Sequence, residues 1–538
     1  LAVFIFGLYL VWPTQDKFDY HDSLRATEEF LAVGNLEQAE ARLNVIARHL
    51  PEAPPPVKAK WTLYEADLIY LQQKAVDGDV EKNHRMIAAG YEQAREGGAT
   101  LDDIRLKRWS ESLVALGQEQ RALDVVSEMD DQTRRCEVLR EIIERRARVP
   151  SNRTGEQLFP LLARYLEEVR TIPDVERRQN ERIWALALRG ELMIEAGRLD
   201  RAVSDLMLQI QRLRSELTGE GERDLAPLLL LLAKAHHKQG QADQARRYYL
   251  LTQERLLPND ELNADVLVGL GQLQLARNGS VEQALELFAR AAQNYPSSSA
   301  YLPALIGQAD CEARLDAHAQ ALDHFLRAVD KLFYDAYRSP ALVDHLTNTA
   351  VSHFERHRDR EQFDRGLDYL SLLPPLYEQG LPANLVLGFA ATHEQIAEQR
   401  MTDGAAVAED AVDRGMSPAE IRAARSQLFQ EAAVHFEQAG RYYLEHARLV
   451  RITDDEAHGH SLWRSAVCFD RGQLWDQAIK VYGEFVETRG TDARHLDAIY
   501  RLGLAYLADE QYEPAAEKFR ELREENPTAQ VSYAAIVP

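Results

Sequence analysis

Between Ala498 and Pro527 the chain reads AIYRLGLAYLADEQYEPAAEKFRELREENP, with apolar Leu502, Tyr506, Ala515, Phe519 and Leu522 mostly three or four residues apart. That spacing lays apolar side chains along one stripe of a helix. It is broken once, at ADEQ, so the segment predicts two helices joined by a turn. Gly503 and Ala515 are small where the helices should cross, Tyr506 and Phe519 fill the space beside them, and Pro527 closes the second helix. One hairpin leaves an apolar face uncovered and must stack on another copy.

Copies recur along the chain. GSVEQALELFARAAQNYP places Gly279, Ala284, Phe288, Ala291 and Pro296 in the same register, and GNLEQAEARLNVIARHLP does so with Gly34, Ala39, Leu43 and Pro51. Further matches are Gly117 with Ala122, Gly190 and Gly197 with Ala202 and Leu206, and Ala233 and Gly240 with Ala245 and Tyr249. Ala309 with Ala321, Phe325 and Ala328 follows the rule, as does Gly472 with Ala478, Tyr482 and Phe485 after one extra residue. This pattern resembles the tetratricopeptide repeat, whose period is about 34 residues. The resemblance implies an all-α fold, a right-handed superhelical solenoid of antiparallel helix pairs. YPSSSAYLPALIGQADCEARLDAHAQALDHF and RHLDAIYRLGLAYLADEQYEPAAEKF are most similar to repeats of bacterial envelope proteins, of the outer-membrane assembly lipoprotein and Tol-Pal coordinator type.

Breaks in the register suggest the organisation. PEAPPP cannot be helical throughout and is expected to interrupt the stack. Residues 13–372 read as an N-terminal array, 373–384 as a Pro-rich junction around Pro374, Pro375 and Pro382, and 385–538 as a C-terminal array. An insertion near 399–426 contains SPAE, where Ser417 is an N-cap, Pro418 the first helical residue and Glu420 the third. The chain opens on LAVFIFGLYLVW, and residues 1–12 read as the C-terminal part of an N-terminal membrane anchor, the competing reading being a signal-peptide remnant or an apolar first helix. The acid-rich flank PTQDKFDYHDSLRATEE places the array away from the cytoplasm, in the periplasm, with a cytoplasmic array as the alternative.

Composition points to protein partners. A formal net charge of -23 lacks the basic footprint that nucleic acid requires. Cys136, Cys311 and Cys468 lie too far apart for a metal knuckle or disulfide framework and read as packing residues. His353 and His357 have the i, i+4 spacing of zinc ligands, but without an intervening HExxH glutamate they read as a solvated helix face. His236, His237, His458 and His460 read as polar surface, and VGLGQLQLARNG as close helix packing rather than a phosphate loop. The sequons at Asn152 and Asn278 matter only in a eukaryotic secretory setting. No metal, cofactor or small-molecule substrate is expected.

The resemblance also implies a binding face. In tetratricopeptide repeats the first helix of each pair lines the groove, and the groove-facing positions fall here on Trp184, Glu191, Glu195, Lys234, His237, Lys238, Asp310, Arg314, Tyr500 and Leu504. Lys234, Lys238 and Arg314 would offer a basic strip to an acidic partner segment, unless neighbours such as Glu191 and Asp310 neutralise it. The family's chaperone-tail carboxylate clamp is not matched, since Ala187 with Glu191, Leu230 with Lys234 and Tyr500 with Leu504 occupy its positions. The expected function is a non-enzymatic, membrane-anchored scaffold for a bacterial envelope complex. The alternative is a soluble regulatory or adaptor subunit of an enzyme complex; a catalytic core within 399–426 would be too short.

Overall fold

The computed structural model describes residues 18–149, 157–216, 223–276, 279–334, 339–414 and 416–525, plus residues 530 and 534, without the side chains of 408–414 and 525. The apolar run 1–12, Pro527 and the sequon residues Asn152 and Asn278 lie outside the described residues. Among those described, every regular element is helical. Contacts divide the chain into two compact units, Leu1–Pro258 and Asn259–Pro538.

In the first unit the helices pair as α1 (Tyr20–Ala32) with α2 (Leu36–His49), α3 (Pro55–Ala75) with α4 (Glu81–Glu96), and α5 (Asp103–Ala115) with α6 (Glu119–Val126). They continue as α7 (Gln132–Ala147) with α8 (Leu158–Val169), α9 (Val175–Glu195) with α10 (Leu199–Glu216), and α11 (Ala226–Lys238) with α12 (Ala242–Gln253). The second unit pairs α13 (Leu262–Ala276) with α14 (Val281–Asn294), α15 (Tyr301–Arg314) with α16 (His318–Phe333), and α17 (Pro340–Arg358) with α18 (Phe363–Ser371). There α19 (Ala383–Arg414) pairs with α20 (Pro418–Val450), α21 (Asp455–Arg471) with α22 (Trp475–Thr488), and α23 (His495–Ala508) with α24 (Tyr512–Glu525).

Many hairpin turns share one construction. Just past the C-cap of the first helix, φ is positive at Gly34, Gly117, Gly197 and Gly240, and equally at Asp316, Glu361, Gln473 and Glu510. In each case the next N–H reaches back to a carbonyl five residues earlier, as Asn35 does to Phe30 at 2.9 Å and Gln511 to Tyr506 at 2.8 Å. This closes the helix end in a left-handed C-cap, with glycine optional rather than required. The cap expected at SPAE forms in full: Glu420 N–H donates to Ser417 Oγ at 3.3 Å, and Ser417 N–H donates to Glu420 Oε2 at 2.7 Å.

Small residues let the helices approach. A Cβ added to Gly503 would lie 2.5 Å from the Phe519 ring, and one added to Gly307 would lie 2.6 Å from Phe288. The crossing of the sequence motif is thus a glycine seated under an aromatic ring. Cys136, Cys311 and Cys468 are buried thiols. Burial pushes the Cys136 and Cys311 pKa values up to about 12, which keeps both thiols protonated and inert.

Three local expectations need revision or completion. PEAPPP does not interrupt the stack: Leu50–Glu52 forms a short 3-10 turn, prolines occupy the first turn of α3, and α3 packs on both α1 and α2. Proline fits there because the first N–H groups of a helix have no partner within it. The Pro-rich segment 373–384 falls inside the second unit, where Leu373 and Leu376 share one core with Leu370, Leu385 and Phe389. Most of residues 399–426 continue the two longest helices, α19 with 32 residues and α20 with 33.

Candidate interaction surface

Within each unit, consecutive first helices touch: α1 meets α3, α5 meets α7 and α9 meets α11 in the first, and α13 meets α15 and α15 meets α17 in the second. Such contacts put first helices on the inner side of a curved stack. Glu141 on α7 keeps solvent contact, yet burial by the surrounding protein, then nearby Glu111, raises its carboxyl pKa. In the second unit His345 on α17 is exposed, yet burial lowers its imidazole pKa.

The walls are laced by charge. In the first unit Lys107 on α5 contacts Glu111 at 3.7 Å and also bonds Glu137 on α7, and Arg177 on α9 reaches Glu137 at 2.7 Å. Arg140 on α7 donates to Glu181 on α9 at 2.9 Å and lies 4.4 Å from the Trp184 ring centroid.

A recurrent clamp fastens neighbouring hairpins. Asp67 on α3 accepts from Tyr91 Oη on α4 at 2.7 Å, and from Arg105 Nε at 2.8 Å and Arg108 Nη1 at 2.6 Å on α5. Glu394 on α19 accepts from Tyr443 Oη on α20 at 2.9 Å and from Arg464 Nε on α21 at 3.1 Å. Asp470 on α21 does so more loosely with Tyr482 on α22 and Arg501 on α23, both at 3.4 Å. Each clamp runs from a first helix through its own second helix to the next first helix. Burial first, then the carboxylate, raises the Tyr91 and Tyr443 hydroxyls above their ordinary range. These tyrosines therefore remain donors at every physiological pH.

The expected groove residues receive different environments. Trp184 is half-buried, edge-on to Tyr165 with centroids 5.3 Å apart, and belongs partly to the core. Glu191 and Glu195 on α9 and Lys238 on α11 are exposed, while Lys234 is half-buried. His237 is half-buried, edge-on to Tyr249 at 6.3 Å, and burial lowers its pKa. Asp310 accepts from Arg314 Nε at 2.9 Å and pairs with His353 Nε2 at 2.8 Å, which holds its carboxyl below the usual range despite opposing burial. Lys234 and Lys238 lie in the first unit and Arg314 in the second, where its charge is committed to Asp310. Tyr500 and Leu504 are half-buried on α23, Tyr500 leaning on Phe519 with centroids 6.1 Å apart. Trp463, one hairpin earlier on α21, is a half-buried aromatic that the expected groove residues omitted; Arg501 lies 5.7 Å from its ring.

The histidines correct the surface reading. His353 and His357 are buried, as are His236 and His458, and only His460 of that set is exposed. His357 Nδ1 meets Gln362 Oε1 at 2.8 Å, and His236 Nδ1 meets Gln241 Oε1 at the same distance. Each histidine lies in the last turn of a first helix and spans the left-handed turn to a glutamine five residues on, so a polar residue becomes part of the turn. His458 Nδ1 donates to the Ala447 carbonyl at 2.9 Å. Among the described residues no group of three or more His, Cys, Asp or Glu is arranged to hold a metal.

The hairpins define the chain as a helical-repeat protein. Models described as tetratricopeptide repeat match residues 230–299, and residues 460–489 and 497–529, so the chain carries tetratricopeptide repeats over those segments. Nothing in these matches bears on the envelope likeness. A comparison with curated proteins returns no match. Similar solved structures include the apo form of RapI, 12% identical over 66% of this chain and 97% of that one, TM-score 0.41. The APC/C hetero-tetramer Cut9-Hcn1 is 12% identical over 96% of this chain and 89% of that one, TM-score 0.27. A tetratricopeptide repeat protein from Parabacteroides merdae is 13% identical over 58% of this chain and 97% of that one, TM-score 0.26.

Proposed function

We propose that this chain is a non-enzymatic scaffold that holds segments of other proteins against its first-helix walls and is tethered to a membrane by an anchor of which the apolar run 1–12 is the C-terminal part. The observation that carries the binding role is the first-helix wall of each unit: first helices held in contact, with their charges mutually paired in the first unit, and with half-buried Trp463, Tyr500 and Leu504, packed on the core beneath, keeping part of their surface open in the second. Tetratricopeptide repeats serve such extended protein contacts. Aromatic anchors amid satisfied polar groups suit a protein segment better than nucleic acid, which the charge of -23 also disfavours. The tether rests on LAVFIFGLYLVW, and the acid-rich residues after it support a periplasmic array and partners in an envelope assembly. No described helix is long and apolar enough to cross a membrane.

Fractionation tests the tether. The full chain should sediment with membranes, and a variant lacking residues 1–15 should move to the soluble fraction with its helicity unchanged. Sedimentation of the shortened variant with protein-free lipid vesicles would refute the assignment.

A further inference from the structure

His393 on α19 and His435 on α20 meet head on, their Nδ1 atoms 2.9 Å apart and ring centroids 5.1 Å apart. An N–H···N contact needs one nitrogen carrying hydrogen and one offering a lone pair. The two rings can share one proton there, but they cannot each hold one, because two N–H groups would then point at each other. The pair bridges the two longest helices, which also share a core of Ala390, Ala397, Ala432, Phe436 and Ala439.

The surrounding charges leave little compensation. The Tyr442 ring of α20 stacks on His393 at 5.7 Å and also on Phe389 at 5.0 Å, favouring a cation only weakly. Asp364 of α18 and Glu431 of α20 favour charge on His435, but Arg400 of α19 opposes it. Arg400 also occupies both carboxylates, at 2.8 Å from Asp364 and 3.3 Å from Glu431, with Asp403 beside it on the same helix. The other acids of this part of α19, Glu394 and Glu398, are engaged by Arg464 and Arg471 of α21.

We propose that the His393–His435 contact is an acid-sensitive latch: protonating both rings drives α20 away from α19 and loosens this hairpin within the second unit. Burial and the second imidazole hold His393 down to about 4, and burial lowers His435 as well. Both folded-state values therefore lie below the ordinary histidine value of about 6.5. The folded form binds fewer protons than the opened form, so the latch contributes its full stability above about 6.5 and loses it as pH falls towards about 4.

Hydrogen–deuterium exchange on the whole chain, corrected for intrinsic rates, reads the latch directly. Between pH 7 and pH 5, protection of α19 and α20 relative to α23 and α24 should fall about tenfold in the native protein. In the His393→Gln/His435→Gln variant, which keeps hydrogen-bonding side chains that do not titrate, the loss should be under about threefold. Equal losses in both proteins, or none in the native one, would overturn the proposal. Should the double variant misfold, native protein with the His393 resonance assigned decides the matter by NMR: protonation of that ring below about 5 supports the latch, and its titration above about 5 overturns it.

Discussion

Replacing Asp67 with alanine lowers the stability of the first unit by about 3–5 kcal/mol. The Asp67 side chain is 2% exposed and binds two guanidinium groups and a tyrosine hydroxyl. Removing it leaves Arg105 and Arg108, whose side chains are 16% and 20% exposed, facing each other without the anion that justified bringing them together. The loss thus reflects Arg108 left without its carboxylate, and Arg105 left with only the exposed Asp102 and Glu28, rather than the value of the intact clamp. Tyr91→Phe, which removes one donor and leaves the ion pairs, should cost only about 1 kcal/mol. Urea unfolding followed through the first unit measures both; an Asp67→Ala loss below about 1 kcal/mol would mean that the clamp is incidental to the stack.

Ala284→Trp should destabilise the second unit by about 3 kcal/mol. Ala284 is fully buried on α14, in one core with Leu267, Phe288 and Leu305. Phe288 cannot make way, because its ring already lies where a Cβ on Gly271 or Gly307 would come within 2.9 Å and 2.6 Å. The added indole must therefore separate helices. Since hairpins touch mainly their neighbours, lost amide protection should centre on α13–α16. The exposed Arg422→Ala change on α20 should stay within about 0.5 kcal/mol. Equal stability for the two variants would show that the inferred helix crossing is misplaced.

What the sequence reveals and hides follows from distance along the chain. Gly503, Ala515 and Phe519 lie within one hairpin, so their spacing exposes the crossing directly. The clamp of Asp67, Tyr91 and Arg105 joins residues 24 and 38 positions from Asp67, which no local periodicity links. Its register becomes visible only once successive hairpins are stacked. Left-handed turns at Gly34 and Gly240 announce themselves by residue type, whereas those at Asp316, Glu361, Gln473 and Glu510 do not, because the repeat imposes the conformation on ordinary residues. His353 and His357 look like surface because they are polar; they are buried around Tyr369, whose ring centroid lies 5.4 Å and 5.5 Å from theirs, and Asp310 and Gln362 supply their partners. The groove expectation selected first-helix positions, but it could not foresee that Trp184 and Tyr500 are both half-buried and pack partly on the core beneath them.

The central claim is that the first-helix walls are the binding face. Site-specific photocrosslinking tests it most directly, with the reactive side chain placed singly at Glu191, Lys238 or Leu504 on first helices and at exposed Glu484 or Glu517 on second helices. The account predicts covalent adducts with the same partner protein from the first-helix positions and none from the second-helix positions. Adducts confined to Glu484 and Glu517 would contradict it, as would their absence at every position in variants that retain native helicity.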